Sequence, residues 1–306
     1  MGRYVVRRLL QMIPVIIGTT FIIYVLVWTL PGDPFAAKCG DRPCPESYIS
    51  AMTEEYNLND PLFIQYIKYM GNLLTGDFGQ TFSGASISEE LISRYPVTLK
   101  LALTAIIFEL IIGLLAGVLA GIRRGGFIDN LVLVSTLFVV SIPVFVIGLV
   151  AQIMFGVQLG WFPVTYSGDF FSLLLPAFVL GSLSLAFVAR LMRTNLVENL
   201  RSDYVRTATA KGLARKRVIG VHALRNSMIP VVTFVGADFG SLLGGSIVTE
   251  GIFNIPGVGN MVFQGINRHE GGTVTAAVTV LVLVFLLVNL LVDLLYAVLD
   301  PRIRYD

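Results

Sequence analysis

Charged residues, histidines and cysteines are all scarce in this sequence. Only 14% of its 306 residues are charged and 55% are hydrophobic, whereas about a quarter of the residues in soluble domains are charged. The mean hydropathy is +0.78. These values indicate a membrane protein. The net charge of +2 is too small to indicate nucleic-acid binding, so the distribution of the basic residues carries the information.

Residues for catalysis or metal binding are also few. The only histidines are His222 and His269, and the only cysteines are Cys39 and Cys44, which is little material for a metal site or for acid–base chemistry. The patterns HExxH, GxSxG and GxxxxGK[ST] do not occur. We therefore expect that this chain is not an enzyme and binds no metal or cofactor, and that any nucleotide hydrolysis occurs on another chain.

Long apolar runs, in contrast, are abundant. A helix of about 20 residues crosses a hydrocarbon core of about 30 Å. The sequence predicts an all-α membrane protein with six spans, near 9–30, 97–122, 131–157, 173–192, 229–249 and 274–299. The chain then comprises a basic leader with the first span (1–30), an outer cap loop (31–96) and a core of five spans (97–306). The first run is too long for a signal peptide and indicates an uncleaved anchor.

The basic residues predict the orientation of the spans, because Lys and Arg accumulate in cytoplasmic segments. Nine of them lie between Arg190 and Arg225, and others precede the first span and follow the last. We therefore expect both termini in the cytoplasm. Cys39 and Cys44 then lie on the oxidising side, either as a disulfide or as two free thiols. In the same loop, the apolar spacing between Asp60 and Gly76 predicts a small helix.

Two spans carry small residues at four-residue spacing, which allows helices to approach closely in lipid. The first row is Gly113, Gly117 and Gly121, and the second is Gly236, Gly240 and Gly244, followed by Gly245. Packing within the chain explains either row. The second also contains Asp238, a carboxylate that is costly in a membrane unless it faces water or a partner. We assign this second set to a pore or subunit interface, with a structural hydrogen bond as the alternative for Asp238.

Three other acidic residues lie within or at the edge of spans. Glu109 and Asp293 are interpreted as packing or interface residues, and Glu250 is expected at the outer edge of its helix. No series of buried acids and histidines for proton coupling is present in the sequence. The segment 250–272 is apolar but interrupted by Gly and Pro, and it predicts a short helix that does not span the membrane.

The long basic segment after the fourth span reads "DYVRTATAKGLARKRVIGVHALRNSMIP" (203–230). Asp203 can cap a helix through "YVRTATAK", with Tyr204, Ala208 and Lys211 on one face, and Gly212 can end it. A second helical piece, "ARKRVIGVHAL", leads to Asn226 and Ser227 as caps of the fifth span. The charges alone are explained by topology and by contact with anionic lipid.

This segment resembles the coupling motif of ABC importer permeases, in which E-A-A is followed by three residues, Gly, nine residues and I-x-L-P. Counting from Gly212 places Arg206, Thr207 and Ala208 at E-A-A and His222 to Arg225 at I-x-L-P. Only Ala208, Gly212 and Leu224 match that general form. The variant "YVRTA-x-AKGL…HALRN…IP" is instead similar to the dipeptide and oligopeptide permease subfamily.

The resemblance extends over nearly the whole chain, in the order of that subfamily. Its further motifs are "PGDP", "GNLLTGDFGQTF", "PVTLKLAL", "RRGGFIDN", "SIPVFVIG", "LGWFPV", "VTEGIFNIPGVGNM" and "LDPRIRY". One departure is "NRHEGGTVTAA" (267–277), where related chains carry an acidic, aromatic and proline-containing stretch. The long outer loop is similar to that of the first of the two permeases in such systems.

The resemblance implies the type I ABC importer permease fold and a pore-forming subunit that imports di- and oligopeptides. The implied partners are a second, homologous permease in a heterodimer, two ATPase subunits that bind ATP and Mg, an extracytoplasmic binding protein or lipoprotein, and the lipid of the bacterial inner membrane. Alternative cargoes are nickel, glutathione, haem or oligosaccharides. Less favoured functions are an ion-coupled secondary transporter, for which no inverted repeat is found, and a membrane scaffold.

By the same resemblance, the coupling segment 193–228 contacts an ATPase. Its docking helix comprises Tyr204, Val205, Arg206, Thr207, Ala208, Ala210, Lys211, Gly212 and Leu213. We expect Ala208, Ala210 and Gly212 to allow close approach. Arg206 and Lys211 are expected to pair with acidic groups of the ATPase.

Overall fold

The computed structural model of the protein describes residues 2–29 and 45–299. Cys39 and Cys44 lie outside the described residues, and so does the prediction of their disulfide. Within the described ranges the regular elements are helices, apart from one isolated bridge between Gln80 and Ser86. They are α1 (Gly2–Trp28), α2 (Glu46–Glu55), α3 (Leu62–Leu74), α4 (Ile87–Ile122), α5 (Phe127–Ser141), α6 (Val144–Gln158), α7 (Phe171–Asn199), α8 (Asp203–Ala210), α9 (Leu224–Ile252), α10 (Val258–Asn267) and α11 (Gly271–Leu299).

Five helices are long and apolar enough to cross a membrane, and a bent pair is the sixth when it is counted as one broken span. The pair consists of α5 and α6, which meet at an angle of 102°. Pro143 explains the break, because its ring keeps the preceding residue out of the helical region. Ile142 accordingly has φ −103° and ψ 130°. The predicted all-α membrane fold with six spans is thus confirmed, with the third span bent.

Several spans are longer than their apolar runs predict, α4 and α7 most of all. The helix α4 begins at Ile87 rather than near 97, and α7 continues to Asn199 instead of ending near 192. Both extensions contain polar residues, which remain helical beyond the apolar part. The helix α4 also contains a π-helical turn at Glu109–Gly113, a local widening that is frequent at functional sites.

The described chain divides into two compact units. One comprises Lys100–Phe253, and α7 is its central helix, in contact with α4, α5, α6 and α9. The first glycine row makes the contact between α4 and α7 possible. A Cβ atom on Gly117 would lie 2.5 Å from the Ala189 carbonyl oxygen, and one on Gly113 would lie 2.8 Å from Val188. This row therefore packs within the chain.

The other unit contains the residues up to Leu99 and those from Asn254 onward. In it α11 packs against α1 and α10. The predicted outer-loop helix is confirmed as α3, and Tyr66 of α3 lies 2.8 Å from the Thr20 hydroxyl of α1. The predicted short helix in 250–272 is confirmed as α10. Asp293, interpreted as a packing residue, pairs with Arg8 at 3.1 Å and joins α11 to α1.

The close approach at Gly117 predicts a specific loss of stability. We expect Gly117→Ala to lower the thermal unfolding midpoint of the purified protein in detergent, because the new methyl group meets a backbone oxygen, at a cost of about 1–3 kcal/mol. The matched control is Gly18→Ala in α1, where a Cβ atom meets nothing within 4 Å and alanine favours the helix. Equal midpoints for the Gly117 variant and the unmodified protein would contradict this packing.

Candidate functional site

The basic segment forms a short helix with a defined end. The helix α8 begins at Asp203, after Ser202 in extended conformation, and ends at Ala210. Asp203 is therefore in the first turn, where a carboxylate interacts favourably with the helix dipole. Gly212 has φ +77°, and its N–H donates to the Thr209 carbonyl at 2.9 Å. A left-handed residue of this kind is a common helix end, so the predicted helix and its stop at Gly212 are both present.

One face of α8 packs against the rest of its own unit. Val205 and Ala208 are only 5% and 6% exposed. They belong to a cluster with Leu196 of α7, Val218 and Ala223, and Leu213 packs on the same cluster. We call this contact the buried face of α8. The small side chain of Ala208 thus allows α8 to approach its own chain, which differs from the expectation that Ala208 lies open to an ATPase.

The opposite face is exposed. We define the outer face of α8 as Arg206, Thr207, Ala210, Lys211 and Gly212, all of which are exposed. Lys211 lies beyond the last residue of the helix, so it does not share a face with Ala208 as the spacing predicted. Arg206 is 3.5 Å from Asp203, but both side chains are largely in solvent, where such pairs contribute little to stability. The outer face therefore presents two cations, Arg206 and Lys211, beside the small residues Thr207, Ala210 and Gly212.

A hydrogen-bonded chain ties α8 to both neighbouring helices. The Tyr204 hydroxyl donates to Asn199 Oδ1 at 2.6 Å, and Asn199 Nδ2 donates to the Ser227 hydroxyl at 3.0 Å. Asn199 is the last residue of α7, and Ser227 lies in the first turn of α9. Sequence reasoning missed Asn199, although an amide at the end of an apolar run was a signal. Asn226 and Ser227 do not cap the fifth span, because a π-helical turn (Val218–Ala223) leads directly into α9.

A second tie, also missed, holds the loop between α4 and α5. Arg193 of α7 binds Asp129 with two parallel hydrogen bonds, Nε to Oδ1 at 2.9 Å and Nη2 to Oδ2 at 2.8 Å. The Gly125 N–H also donates to Asp129 at 2.8 Å. Asp129 is almost completely buried, and such two-pronged charged contacts are strong and directional. The C-terminal end of α7 is therefore fixed on two sides.

The second glycine row is divided between two faces of α9. Gly236 is half-buried and Gly240 is buried, whereas a Cβ atom on Gly244 would meet nothing within 4 Å. For Gly245 only its place in α9 is described. The open side of α9 also carries other small residues, and we define its small-residue face as Thr233, Ala237, Ser241 and Gly244. This is the side of the fifth span on which another helix can approach closely.

Asp238 does not belong to the small-residue face but lies on another side of α9, together with other acidic residues nearby. Its carboxylate lies near Ser184 of α7 and Glu109 of α4. Glu109 is fully buried at the π-helical turn, and neither of its carboxyl oxygens has a hydrogen-bond partner in the described part of the chain. Glu250 lies in the last turn of α9 and is also buried. The structural hydrogen bond considered for Asp238 stays a prediction, as does its place at a pore or subunit interface.

Comparison with known proteins covers the same chain from end to end. Residues 113–305 match the family described as binding-protein-dependent transport system inner membrane component, and residues 1–102 match the N-terminal region of such proteins. The dipeptide transport system permease protein DppB of Alkalihalophilus pseudofirmus is 37% identical over 99% of both chains. The oligopeptide transport system permease protein AppB of Bacillus subtilis is 36% identical over 100% of both. The glutathione transport system permease protein GsiC of Salmonella paratyphi A is 37% identical, also over 100% of both.

The same substitution should affect stability differently on the two faces of α8. We expect Ala208→Asp to lower the free energy of unfolding by about 1–3 kcal/mol or more, because it places a carboxylate in an apolar cluster. Ala210→Asp introduces the same group on the outer face and should leave stability within about 0.5 kcal/mol. Thermal unfolding of the two purified variants measures the difference. Equal stability of both variants would contradict the burial of Ala208.

Proposed function

This chain belongs to the family of binding-protein-dependent transport system inner membrane components, and on that premise we propose that it imports di- and oligopeptides. It is a multi-pass membrane permease subunit and not an enzyme, and the ATPase of such systems is a separate protein. We propose that this chain forms half of the channel and that a second, homologous permease completes it. Two ATPase subunits then bind ATP and Mg, while the permease itself binds neither.

The cargo assignment rests on the relatives. Those at 36–37% identity over essentially the whole chain carry the names of dipeptide, oligopeptide and glutathione permeases. Glutathione is itself a tripeptide, so the three names share one chemical class. A peptide backbone with varying side chains offers few constant groups to a pore, and selectivity then belongs to the binding protein. Import of glutathione alone is the second candidate, supported by the same degree of identity.

The single observation that supports the coupling role is the two-sided arrangement of α8. Its outer face is open and cationic, and its buried face packs on the ends of α7 and α9. In our proposal Arg206 and Lys211 pair with acidic groups on the ATPase, and Ala210 and Gly212 allow close approach. ATPase closure then moves α8, and the buried face and Asn199 pass that movement to α7 and α9. A rigid-body shift of this kind switches the channel between its two access states.

The small-residue face supports a contact with the second permease. In lipid, helices associate through close packing of small side chains rather than through hydrophobic burial. The open row from Thr233 to Gly244 has this composition over about three turns of α9. We assign this face to the interface between the two permeases. Asp238 is assigned to the interior of its own subunit, where Ser184 and Glu109 surround it.

The proposed orientation places both termini and α8 in the cytoplasm. It is supported by the concentration of Lys and Arg between Arg190 and Arg225. The region of α2 and α3 then faces the outside and, together with α10, is available to the binding protein. The family description itself gives an inner membrane protein, and a bacterial cytoplasmic membrane is the corresponding location.

Uptake by membrane vesicles tests the function and the coupling role together. We expect vesicles with this permease, its partner subunits and the binding protein to take up a labelled tripeptide only when ATP is present inside. Gly212→Asp should reduce uptake and ATPase co-purification about tenfold, equivalent to about 1.4 kcal/mol, because the new carboxylate repels an acidic docking surface. Gly212→Asn is the matched control, since both side chains have the same shape and tolerate positive φ.

Two results would contradict the proposal. Equal loss in both Gly212 variants would show that charge on the outer face has no role in docking. Uptake by this chain alone, driven by an ion gradient, would contradict the ATP-driven mechanism. Competition by unlabelled glutathione but not by alanine tripeptides would replace the general peptide cargo with glutathione.

A further inference from the structure

A cavity of about 230 Å³ lies within the unit formed by the N-terminal region and the residues from Asn254 onward. Helices α1, α3 and α11 and the loops around α2 and α3 enclose it. Its lining residues are Tyr24, Trp28, Tyr56, Asn57, Gln65, Tyr69, Asn72, Asp77, Phe78, Gly79, Gly272 and Thr275. None of the roles considered above uses this space. We call it the aromatic cavity.

Aromatic rings form much of its wall. The rings of Trp28 and Tyr56 are 5.2 Å apart, and those of Tyr24 and Tyr69 are 5.3 Å apart, each pair tilted by about 40°. Gly272 makes room for Tyr56, because a Cβ atom there would lie 3.0 Å from its hydroxyl oxygen. Rings that line one space provide a wall suited to a positively charged group, because the face of an aromatic ring carries partial negative charge.

The hydroxyl groups of the inner tyrosines are already engaged. The Tyr24 hydroxyl donates to Gln65 Oε1 at 3.3 Å, and the Tyr69 hydroxyl donates to the Thr279 hydroxyl at 3.1 Å. Burial raises the pKa of the Tyr69 hydroxyl to about 12, so this ring remains uncharged at neutral pH. The rings are therefore fixed in place, and Asp77 is the only charged side chain among the lining residues that the structure describes.

Asp77 is held at the mouth of the cavity. Its Oδ1 accepts a hydrogen bond from the Gly79 N–H at 2.9 Å, and its side chain is otherwise exposed. A carboxylate beside several aromatic faces is the combination that attracts an organic cation, because charge and ring quadrupole act in the same direction. An anion would be repelled by both.

The segment of the sequence around the cavity adds further negative charge. Between Pro45 and Pro96 there are seven acidic residues and two basic residues, Lys68 and Arg94. Both basic residues are engaged in ion pairs at 2.6 Å, Lys68 with Asp60 and Arg94 with Glu90. The region around the cavity is thus negative, and no unpaired basic residue within that range competes for Asp77.

We propose that the aromatic cavity binds an organic cation, either the primary ammonium of a peptide N-terminus or the guanidinium of an arginine side chain. The volume suits a group of side-chain size rather than a whole peptide, because sites for larger ligands are about 300–1,000 Å³. In this proposal the cation rests in the cavity against the wall of rings and pairs with Asp77. Only the physiological source of this cation rests on the peptide function proposed above.

The chain provides its own probe of this site. Its two tryptophans are Trp28, in the cavity wall, and Trp161. The variant Trp161→Phe therefore makes Trp28 the only source of tryptophan fluorescence. We would titrate the full chain, in lipid nanodiscs, with triglycine amide, N-acetylarginine amide and the neutral control N-acetyltriglycine amide. A saturable change with triglycine amide identifies the ammonium as the ligand, and a change with N-acetylarginine amide identifies the guanidinium.

Two variants locate the binding. We expect Asp77→Asn to weaken binding of the cationic probe at least fivefold, while the Gly79 hydrogen bond is kept by the asparagine oxygen. Glu89→Gln removes an equally exposed acid of the same region that does not line the cavity, and it should leave binding unchanged. No saturable change with either cation, or an equal change with the neutral control, would overturn the proposal. An equal effect of both variants would also overturn it.

This measurement uses neither ATP nor the partner proteins, so its failure is separate from a failure of the transport function. Peptide import without a Trp28 response would support the proposed function and contradict the cavity as a cation site. A Trp28 response without ATP-dependent uptake would support the cation site but contradict imported peptides as the source of the cation.

Discussion

The contact of Val205 and Ala208 with the ends of α7 and α9 is the constraint on which the account of this protein depends. A helix of eight residues is not stable alone in water, so α8 owes its position to this cluster. The same two side chains turn Arg206, Thr207 and Ala210 outward. Because one face is occupied by the chain itself, only the other is available to a partner. The docking and the transmission that we propose therefore fall on opposite sides of one short helix.

The other helices of the unit Lys100–Phe253 hold α7 firmly, so that α8 rests on a rigid support. The helix α7 carries the cluster at one end, and along its length Val188, Met192 and Leu196 pack closely against the glycine row of α4. The buried pair of Arg193 and Asp129 adds a charged tie, and removing one partner of such a pair leaves an uncompensated charge. With so little free space, a displacement of α8 cannot be absorbed locally. In the proposed coupling, the displacement passes to α7 and, through the contact of Asn199 with Ser227, to the start of α9.

Apolar periodicity and helix-ending residues such as Gly212 predicted the helices of this fold, but they did not predict which way the side chains face. Apolar runs located the spans, and Gly212 correctly marked the end of α8. The resemblance to a coupling motif placed Ala208 but carried no information on helix rotation, so its burial was not foreseen. Asn226 and Ser227 have the chemistry of caps, yet a π-helical turn continues the helix before them. At this point the capping preference of Asn226 and Ser227 did not decide where the helix begins, because the preceding turn packs as a continuous part of it.

Features built from distant residues could not be predicted at all. Glu109 and Asp238 are on different helices, and only packing around α7 brings them near Ser184. The aromatic cavity joins Trp28, Tyr56 and Gly272, which share no local pattern. Its rings read individually as ordinary interfacial or core residues. A site of this kind becomes visible only when the three-dimensional neighbours of each ring are known.

The most direct test of the central claim is photo-cross-linking from the outer face of α8 in native membranes. A photoreactive benzoylphenylalanine at position 210 replaces an exposed alanine, and the same residue at position 123 replaces an exposed arginine in the loop between α4 and α5. The account predicts a covalent adduct with the ATPase subunit from position 210 and none from position 123. Active transport without an ATPase adduct from position 210, or equal adducts from both positions, would contradict it.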